Sequence, residues 1–125
     1  MNNLLLKATH NTPKIAFLTT GNLMISGSLY VENAREFFDP LFVWIANLQT
    51  REVNFELRIE YLNSACSKEI FRLLQKLNQN EQIETINITW YYQRGDEDAL
   101  ETGQLLSGAL ASMHFDLIEY DKENL

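Results

Sequence analysis

A strictly alternating segment, REVNFELRIEYL (51–62), constrains the fold of this chain most strongly. Its apolar side chains occupy every second position and point to one side of a predicted strand: Val53, Phe55, Leu57, Ile59 and Tyr61. A period of two is expected of a strand with one buried face and one wet face. Strands that are covered on both faces of a parallel sheet are almost continuously apolar. The segment therefore predicts a sheet that carries helices mainly on one face.

Further strands are predicted on both sides of this segment. A hairpin is expected at PKIAFLTTGNLMISGSLY (13–30), because Gly21 and Asn22 lie between two short apolar runs and both tolerate a positive φ. Gly27 is expected to end the second strand of the hairpin or to place a bulge in it. Alternation predicts two later strands, IETINITWYYQ (83–93) and HFDLIEY (114–120).

Three amphipathic helices are predicted between these strands. The first spans 33–48, with Asn33 as N-cap and Glu36 at the capping-box position, and its apolar stripe continues through a kink at Pro40. The second spans 64–79, and the third begins after its expected cap, Asp96. The second helix is expected to turn five side chains inward: Cys66, Ile70, Leu73, Leu74 and Leu77. Five others are expected to face outward: Lys68, Glu69, Arg72, Gln75 and Lys76.

The order of these elements, β-β-α-β-α-β-α-β, predicts a single domain over residues 1–125. Strand–helix–strand units with helices of this length connect parallel neighbours by right-handed crossovers. The hairpin adds an antiparallel pair. Together with the wet sheet face, the order predicts an α/β two-layer sandwich with a mixed sheet of about five strands. The last residues, DKENL (121–125), are expected to form a frayed tail.

The acidic composition narrows the range of partners. The chain carries 17 Asp and Glu against 10 Lys and Arg, a net charge of −7, which repels phosphate backbones and anionic lipid. Nucleic acid and membranes are therefore not expected partners, whereas a protein or a small ligand is. A single cysteine excludes an intrachain disulfide and fits a reducing compartment. The start, MNNLLLKATHNTPK, lacks the features of a signal peptide, so the cytoplasm is the expected location.

Signatures of catalysis are missing from the sequence. It holds no GxSxG elbow, no P-loop and no GxGxxG motif, so neither an enzyme activity nor a cofactor is predicted. His10 and His114 belong to no metal-binding motif and are interpreted as surface or packing residues. The acidic run 96–98 is interpreted as a helix cap with dipole partners rather than as a metal site.

The junction EYLNSACSKEIFRLL (60–74) holds the candidate chemistry. Ser64 suits a helix cap, because its hydroxyl can accept a hydrogen bond from a free backbone N–H. It also suits phosphorylation, because free N–H groups and the positive end of a helix dipole receive a phosphate at the carboxyl edge of such a sheet. Lys68, four residues further on, shares the same helical face and can pair with that phosphate.

Two other hypotheses concern the same junction. Cys66 lies in the first helical turn, where the dipole lowers a thiol pKa, so a redox or small-ligand sensor would use it. Its position near Ile70 predicts a buried core residue instead. A small hydrolase with Ser64 as nucleophile would need a base, and neither histidine has an evident path to that hydroxyl.

Five segments, in order and correctly spaced, carry a wider resemblance: NTPKI (11–15), GSLYVENAREFFDPLFVWI (27–45), LRIEYLNSACSKEI (57–70), ITWYYQRGDEDALETG (88–103) and FDLI (115–118). With them the chain resembles the SiaC family of bacterial regulatory phosphoproteins, relatives of the STAS-domain anti-sigma factor antagonists. The resemblance implies a STAS-like fold and a non-enzymatic adaptor. In such a protein, a kinase phosphorylates one hydroxyl side chain and a PPM-type phosphatase reverses the modification. The unphosphorylated form binds an effector such as a diguanylate cyclase, which implies control of cyclic di-GMP and biofilm formation.

The family pattern at the switch is Tyr-Leu/Phe-Asn-Thr-Ser-Ser, followed usually by one residue and Lys. Tyr61, Leu62 and Asn63 match it, and Ser64 stands where the family has its phosphorylated Thr. The resemblance therefore implies that Ser64 is the phosphorylated residue.

The residues after Ser64 depart from the family pattern at two positions. Ala65 and Cys66 replace the two following Ser residues, whereas Lys68 is retained. Ser64 is thus the only hydroxyl of that triplet, and Lys68, Ala65 and Cys66 are expected to accommodate the phosphate. Partner contacts are expected on the same edge, where the matching YVEN (30–33) should also lie: Tyr30, Asn33, Leu62 and Asn63.

Overall fold

A computed structural model describes residues 1–121 of the chain; 122–125, most of the expected tail, lie outside the described residues. Residues 1–121 form six strands and three helices. The strands are β1 (Leu4–Leu6), β2 (Lys14–Phe17), β3 (Asn22–Leu29), β4 (Glu52–Leu62), β5 (Thr85–Gln93) and β6 (His114–Tyr120). The helices are α1 (Ala34–Ala46), α2 (Ser64–Asn78) and α3 (Glu97–Ala109). Within this part of the chain, no helix combines the length and apolar character that crossing a bilayer requires.

The six strands form one mixed sheet in the order of the sequence, β1 to β6. The first three strands are antiparallel neighbours, and β3 to β6 run parallel. Each parallel connection moves one strand further in the same direction, so right-handed crossovers place all three helices on one face. The predicted two-layer α/β sandwich is thereby confirmed. The sheet has one strand more than expected, because a three-leucine strand is too short for alternation to identify.

The hairpin and the alternating strands agree with the sequence patterns. The hairpin turn uses Gly21 at a φ of 99°. The β3–β4 register shifts after Gly27, but β3 continues to Leu29 and the extra residue lies in β4, so the bulge predicted for the second strand of the hairpin belongs to its neighbour. Along β4 the inner side chains are buried as far as Ile59, whereas Tyr61 is 65% exposed. The inward orientation predicted for Tyr61 is therefore wrong, because β4 has one extra residue between Ile59 and Leu62, which reverses the alternation and turns Leu62 towards the core instead.

The helix starts also follow the sequence. The side chain of Asn33 accepts a hydrogen bond from Glu36 N at 3.2 Å and donates one to Glu36 Oε2 at 3.0 Å, which caps α1. The helix then runs through Pro40 as a single element. Asp96 caps α3 by accepting a hydrogen bond from Ala99 N at 3.0 Å. The acidic run 96–98 therefore has the capping role that was predicted for it.

A glycine allows α3 to approach the sheet closely. A Cβ added at Gly103 would lie 2.6 Å from Trp90 Cδ1 and 2.7 Å from Leu117 Cδ2. The Trp90 indole is 1% exposed and donates a hydrogen bond from Nε1 to Ala99 O at 3.0 Å. The absence of a side chain at Gly103 thus allows the Trp90 indole to pack directly against α3, where its Nε1 donates a hydrogen bond to the helix backbone.

Replacing this glycine tests the close approach. Gly103→Ala is expected to lower the free energy of unfolding by about 1–2 kcal/mol. The overpacking cost of about 1–3 kcal/mol is larger than the gain of up to about 1 kcal/mol from the higher helix propensity of alanine. Gly108→Ala, in the same helix but with nothing within 4 Å of the added methyl group, should raise it by up to about 1 kcal/mol. Urea unfolding followed by tryptophan fluorescence measures both. Equal stabilisation by the two substitutions would contradict the packing described for Gly103.

Candidate functional site

The candidate site lies where β4 passes into α2. β4 ends at Leu62, and α2 begins two residues later with Ser64. Leu62 is paired with Leu29 at the end of the neighbouring strand β3, so Tyr30 follows at the same edge. This is the carboxyl edge of the parallel strands, where α/β folds commonly place their sites. The predicted proximity of YVEN (30–33) to the Ser64 junction is therefore present in the fold.

Asn63 holds this junction together. Its Oδ1 accepts a hydrogen bond from Cys66 N at 2.8 Å, which makes it the N-cap of α2. Its Nδ2 donates to Val31 O at 3.4 Å, which ties the loop before α1 to the start of α2. One side chain thus satisfies an otherwise unpaired helix donor and joins two segments of the site. Asn63 is a structural residue of the junction in addition to being a predicted partner contact.

Ser64 is not the helix cap, so that part of the sequence interpretation is wrong. It is the first residue of α2, and its side chain is exposed. The first intrahelical hydrogen bond runs from Ser67 N to Asn63 O at 3.0 Å. The N–H groups of Ser64 and Ala65 precede that bond and have no partner within the helix. The hydroxyl therefore lies in solvent beside two backbone donors and the positive end of the helix dipole.

The residues predicted to accommodate a phosphate differ in what they offer. Lys68 is exposed one turn after Ser64, and among residues 1–121 no carboxylate forms an ion pair with it. Ala65 is exposed and contributes only its backbone N–H. Cys66 is fully buried, and its N–H is already bonded to Asn63. Lys68 and Ala65 are thus exposed close to Ser64 in the chain, whereas the Cys66 donor is engaged.

The predicted partner contacts share one edge but are not equally available. Tyr30 is 63% exposed. Asn33 is exposed, but its side chain is held by the cap of α1. Leu62 is half-buried against the core. Tyr61, which alternation had placed inside, adds a second exposed aromatic ring at this edge. The apolar Leu62 directly after Tyr61 breaks the alternation, and that break is the signal that could have identified the exposed ring.

The Cys66 thiol lies in the core, as its position near Ile70 predicted. Burial raises the pKa of Cys66, and the negative charge of Glu69 acts in the same direction, while a backbone hydrogen bond at Val31 opposes them. A raised pKa keeps the thiol protonated near neutral pH, and a thiol is far less nucleophilic than a thiolate. This environment does not favour a redox sensor at Cys66.

Glu69 was expected to face outward, and that expectation is wrong. Its side chain is 8% exposed between α1 and α2, where Oε1 lies 3.5 Å from Arg72 Nη1 and 3.8 Å from Arg35 Nε. Oε2 is buried and has no hydrogen-bond partner among the described residues. The two arginines compensate the carboxylate charge that burial would otherwise disfavour. Glu69 also lies three residues after the buried Cys66, a spacing that could have placed it at the margin of the core.

Ser64 has none of the partners that a hydrolase would need among residues 1–121. No side chain in this part of the chain hydrogen-bonds to its hydroxyl. His114 lies at the start of β6, at the opposite edge of the sheet, and contacts Asp116 with Nε2 3.3 Å from Oδ2. His10 is exposed in the loop before β2. The geometry of the described residues therefore gives Ser64 no general base.

Thiol titration tests the environment described for Cys66. The native protein should react with Ellman's reagent at pH 7.5 at least an order of magnitude more slowly than the urea-unfolded protein, because the native thiol is buried and has a raised pKa. The chain has one cysteine, so the absorbance change reports this residue alone. Equal rates in the two states would contradict the packing and return the sensor hypothesis to consideration.

Comparison with known proteins places this geometry in a family. Residues 6–120 match the model of the SiaC family regulatory phosphoprotein. An uncharacterized protein of Pseudomonas aeruginosa (strain UCBPP-PA14) is 28% identical over 109 residues, which cover 83% of this chain and 86% of that protein.

Solved structures agree with that match. SiaC of Pseudomonas aeruginosa is similar with a TM-score of 0.79 and 25% identity, over 96% of this chain and 100% of the other. A chain in the crystal structure of diguanylate cyclase SiaD in complex with its activator SiaC, from the same organism, gives a TM-score of 0.82 and 25% identity. That match covers 94% of this chain and 99% of the other. The protein described here therefore belongs to the SiaC family of regulatory phosphoproteins, as its motifs predicted.

Proposed function

We propose that this protein is a phospho-switch adaptor with Ser64 as its modified residue. In the unphosphorylated form it binds and regulates a diguanylate cyclase. A serine/threonine protein kinase phosphorylates Ser64, and a PPM-type phosphatase removes the phosphate. The observation that carries the proposal is the exposed Ser64 hydroxyl at the first position of α2, where Asn63 has taken over the capping role.

The proposed partner follows from the family. A SiaC protein is the activator in the complex with the diguanylate cyclase SiaD, and that structure has the same fold as this chain over most of its length. The exposed edge with Tyr30 and Tyr61 suits a protein partner, because aromatic side chains contribute large contact areas at interfaces. The exposed Ser64 lies at the same edge, so a phosphate there would alter the surface that the cyclase is proposed to contact.

The fold is expected to tolerate the phosphate. A phosphoserine adds about −1.5 to −2 charges. At the N-terminus of a helix each negative charge is stabilised by about 0.3–1 kcal/mol, and Lys68 adds an exposed ion pair of about 0.2–1 kcal/mol. These terms favour the modified fold slightly, so phosphorylation needs no internal rearrangement.

The effect on a partner is larger than the effect on the fold. A partner that docks over Ser64 would exclude water from the phosphate, whose negative charge the helix N-terminus and Lys68 neutralise only in part. Leaving one partner of a buried charge pair uncompensated in an interface costs about 2–5 kcal/mol or more. The phosphate is therefore expected to act on binding rather than on stability.

Phosphorylation by the cognate kinase tests the modified residue. Phos-tag electrophoresis and peptide mass spectrometry should show a single phosphate on the wild-type protein, and the cognate phosphatase should remove it. Ser64→Ala should abolish the shift. Ser67→Ala, which removes a hydroxyl one helical turn further along α2, is the matched control and should be phosphorylated like the wild type. An unmodified wild type, or unchanged phosphorylation of Ser64→Ala, would reject the assignment of Ser64.

A further inference from the structure

A groove of about 560 Å³ lies between α2 and α3 on the outer surface of the helical layer. Its lining is mainly apolar and includes Phe71 from α2 and Leu105, Leu106 and Ala109 from α3. Leu105 is 68% exposed, a large fraction for an apolar side chain. None of these residues takes part in the cap or in the phosphate site described above. The groove is therefore an apolar surface that the proposed switch chemistry does not itself explain.

The charges along this groove have one sign. Lys68 and Arg72 of α2 line it, and the lining residues of α3 are uncharged. Lys76, one turn further on, lines the surface between α1 and α2 and does not line this groove. The one carboxylate in α2, Glu69, lies between α1 and α2 and does not line the groove, but its Oε1 is 3.5 Å from Arg72 Nη1 and pairs with that cation. Two cations thus border an apolar groove on a protein whose net charge is −7: Lys68, which has no ion-pair partner among residues 1–121, and Arg72, which also pairs with Glu69.

We infer that this groove is the docking surface for the regulated partner, and that the partner presents an apolar segment edged with carboxylates. The inference rests on the proposed function, and it adds the chemical character of the segment that the partner presents. The apolar side chains of the segment would cover Leu105 and Phe71. Its carboxylates would lie against Lys68 and Arg72, which also steer an acidic segment towards this part of an otherwise acidic molecule.

The position of Ser64 supports an acidic partner rather than a basic one. Ser64, Lys68 and Arg72 follow one another at intervals of four, so the proposed phosphorylation site lies one helical turn before the first cation of the groove. A phosphate there would pair with Lys68 and repel a neighbouring carboxylate. Phosphorylation would therefore weaken the binding of an acidic segment and strengthen that of a basic one. Only the acidic segment fits a protein that binds in the unphosphorylated form.

Calorimetric titration with the purified diguanylate cyclase of the same organism tests the inference. Lys68→Glu and Leu105→Ser should each raise the dissociation constant by about tenfold or more, through the lost cation and the lost apolar contact. Two controls make the same changes elsewhere, on the opposite face of the sheet: Lys14→Glu, and Leu5→Ser, whose side chain is 63% exposed. Both should bind within about twofold of the wild type. Wild-type affinity should also fall as salt is raised.

The outcomes separate the two proposals. A wild type that binds the cyclase, with groove variants that bind equally well, would overturn the docking surface and leave the proposed function intact. A wild type that does not bind would overturn the proposed function and the inference with it. Loss of self-association by the groove variants in sedimentation experiments, with cyclase binding unchanged, would identify the groove as an interface between copies of this chain. Circular dichroism and thermal unfolding confirm that each variant is folded.

Discussion

In the part of the chain that the structure describes, helices cover one face of the sheet only, and the arrangement of the site depends on that constraint. The inner row of side chains, such as Phe55 and Leu57, has to be buried, while the outer row of β4 is polar. Because each parallel connection advances by one strand in the same direction, right-handed crossovers place every helix on the inner face. The same geometry brings the N-termini of all three helices to one edge. Ser64, Tyr30 and the cap of α2 meet there for that reason.

Because Asn63 caps α2, the side chain of the neighbouring Ser64 is available for modification. Asn63 supplies the capping oxygen and joins α2 to the loop at Val31, so the fold does not depend on the Ser64 hydroxyl. A modification of Ser64 then adds charge without removing a hydrogen bond that holds α2 in place. Each interaction of a phosphate with this helix end stabilises the fold by at most about 1 kcal/mol, whereas an uncompensated charge in an interface costs about 2–5 kcal/mol. A phosphate on Ser64 is therefore expected to change the free energy of binding more than the free energy of unfolding.

Most of the fold could be predicted from the sequence, because alternation and helical stripes report burial directly. The residues that could not be predicted are those whose environment comes from distant parts of the chain. Both Asn63 and Ser64 are good caps by type; Asn63 caps α2 in a junction where it also bonds to the loop at Val31. Glu69 is buried because Arg35 of another helix lies beside it. Tyr61 is exposed because an extra residue in β4 between Ile59 and Leu62 shifts its register against β3. The family pattern predicted Ser64 as the modified residue, and the structure shows that its side chain is exposed because Asn63 caps the helix.

The most direct test of the account is a comparison of two forms of one protein. The unphosphorylated protein and protein stoichiometrically phosphorylated on Ser64 would each be titrated with the cognate diguanylate cyclase in a calorimeter. The account predicts that phosphorylation weakens binding by about 30-fold or more, corresponding to about 2 kcal/mol, while the thermal unfolding midpoint changes by only a few degrees. Equal or tighter binding of the phosphorylated form would contradict it.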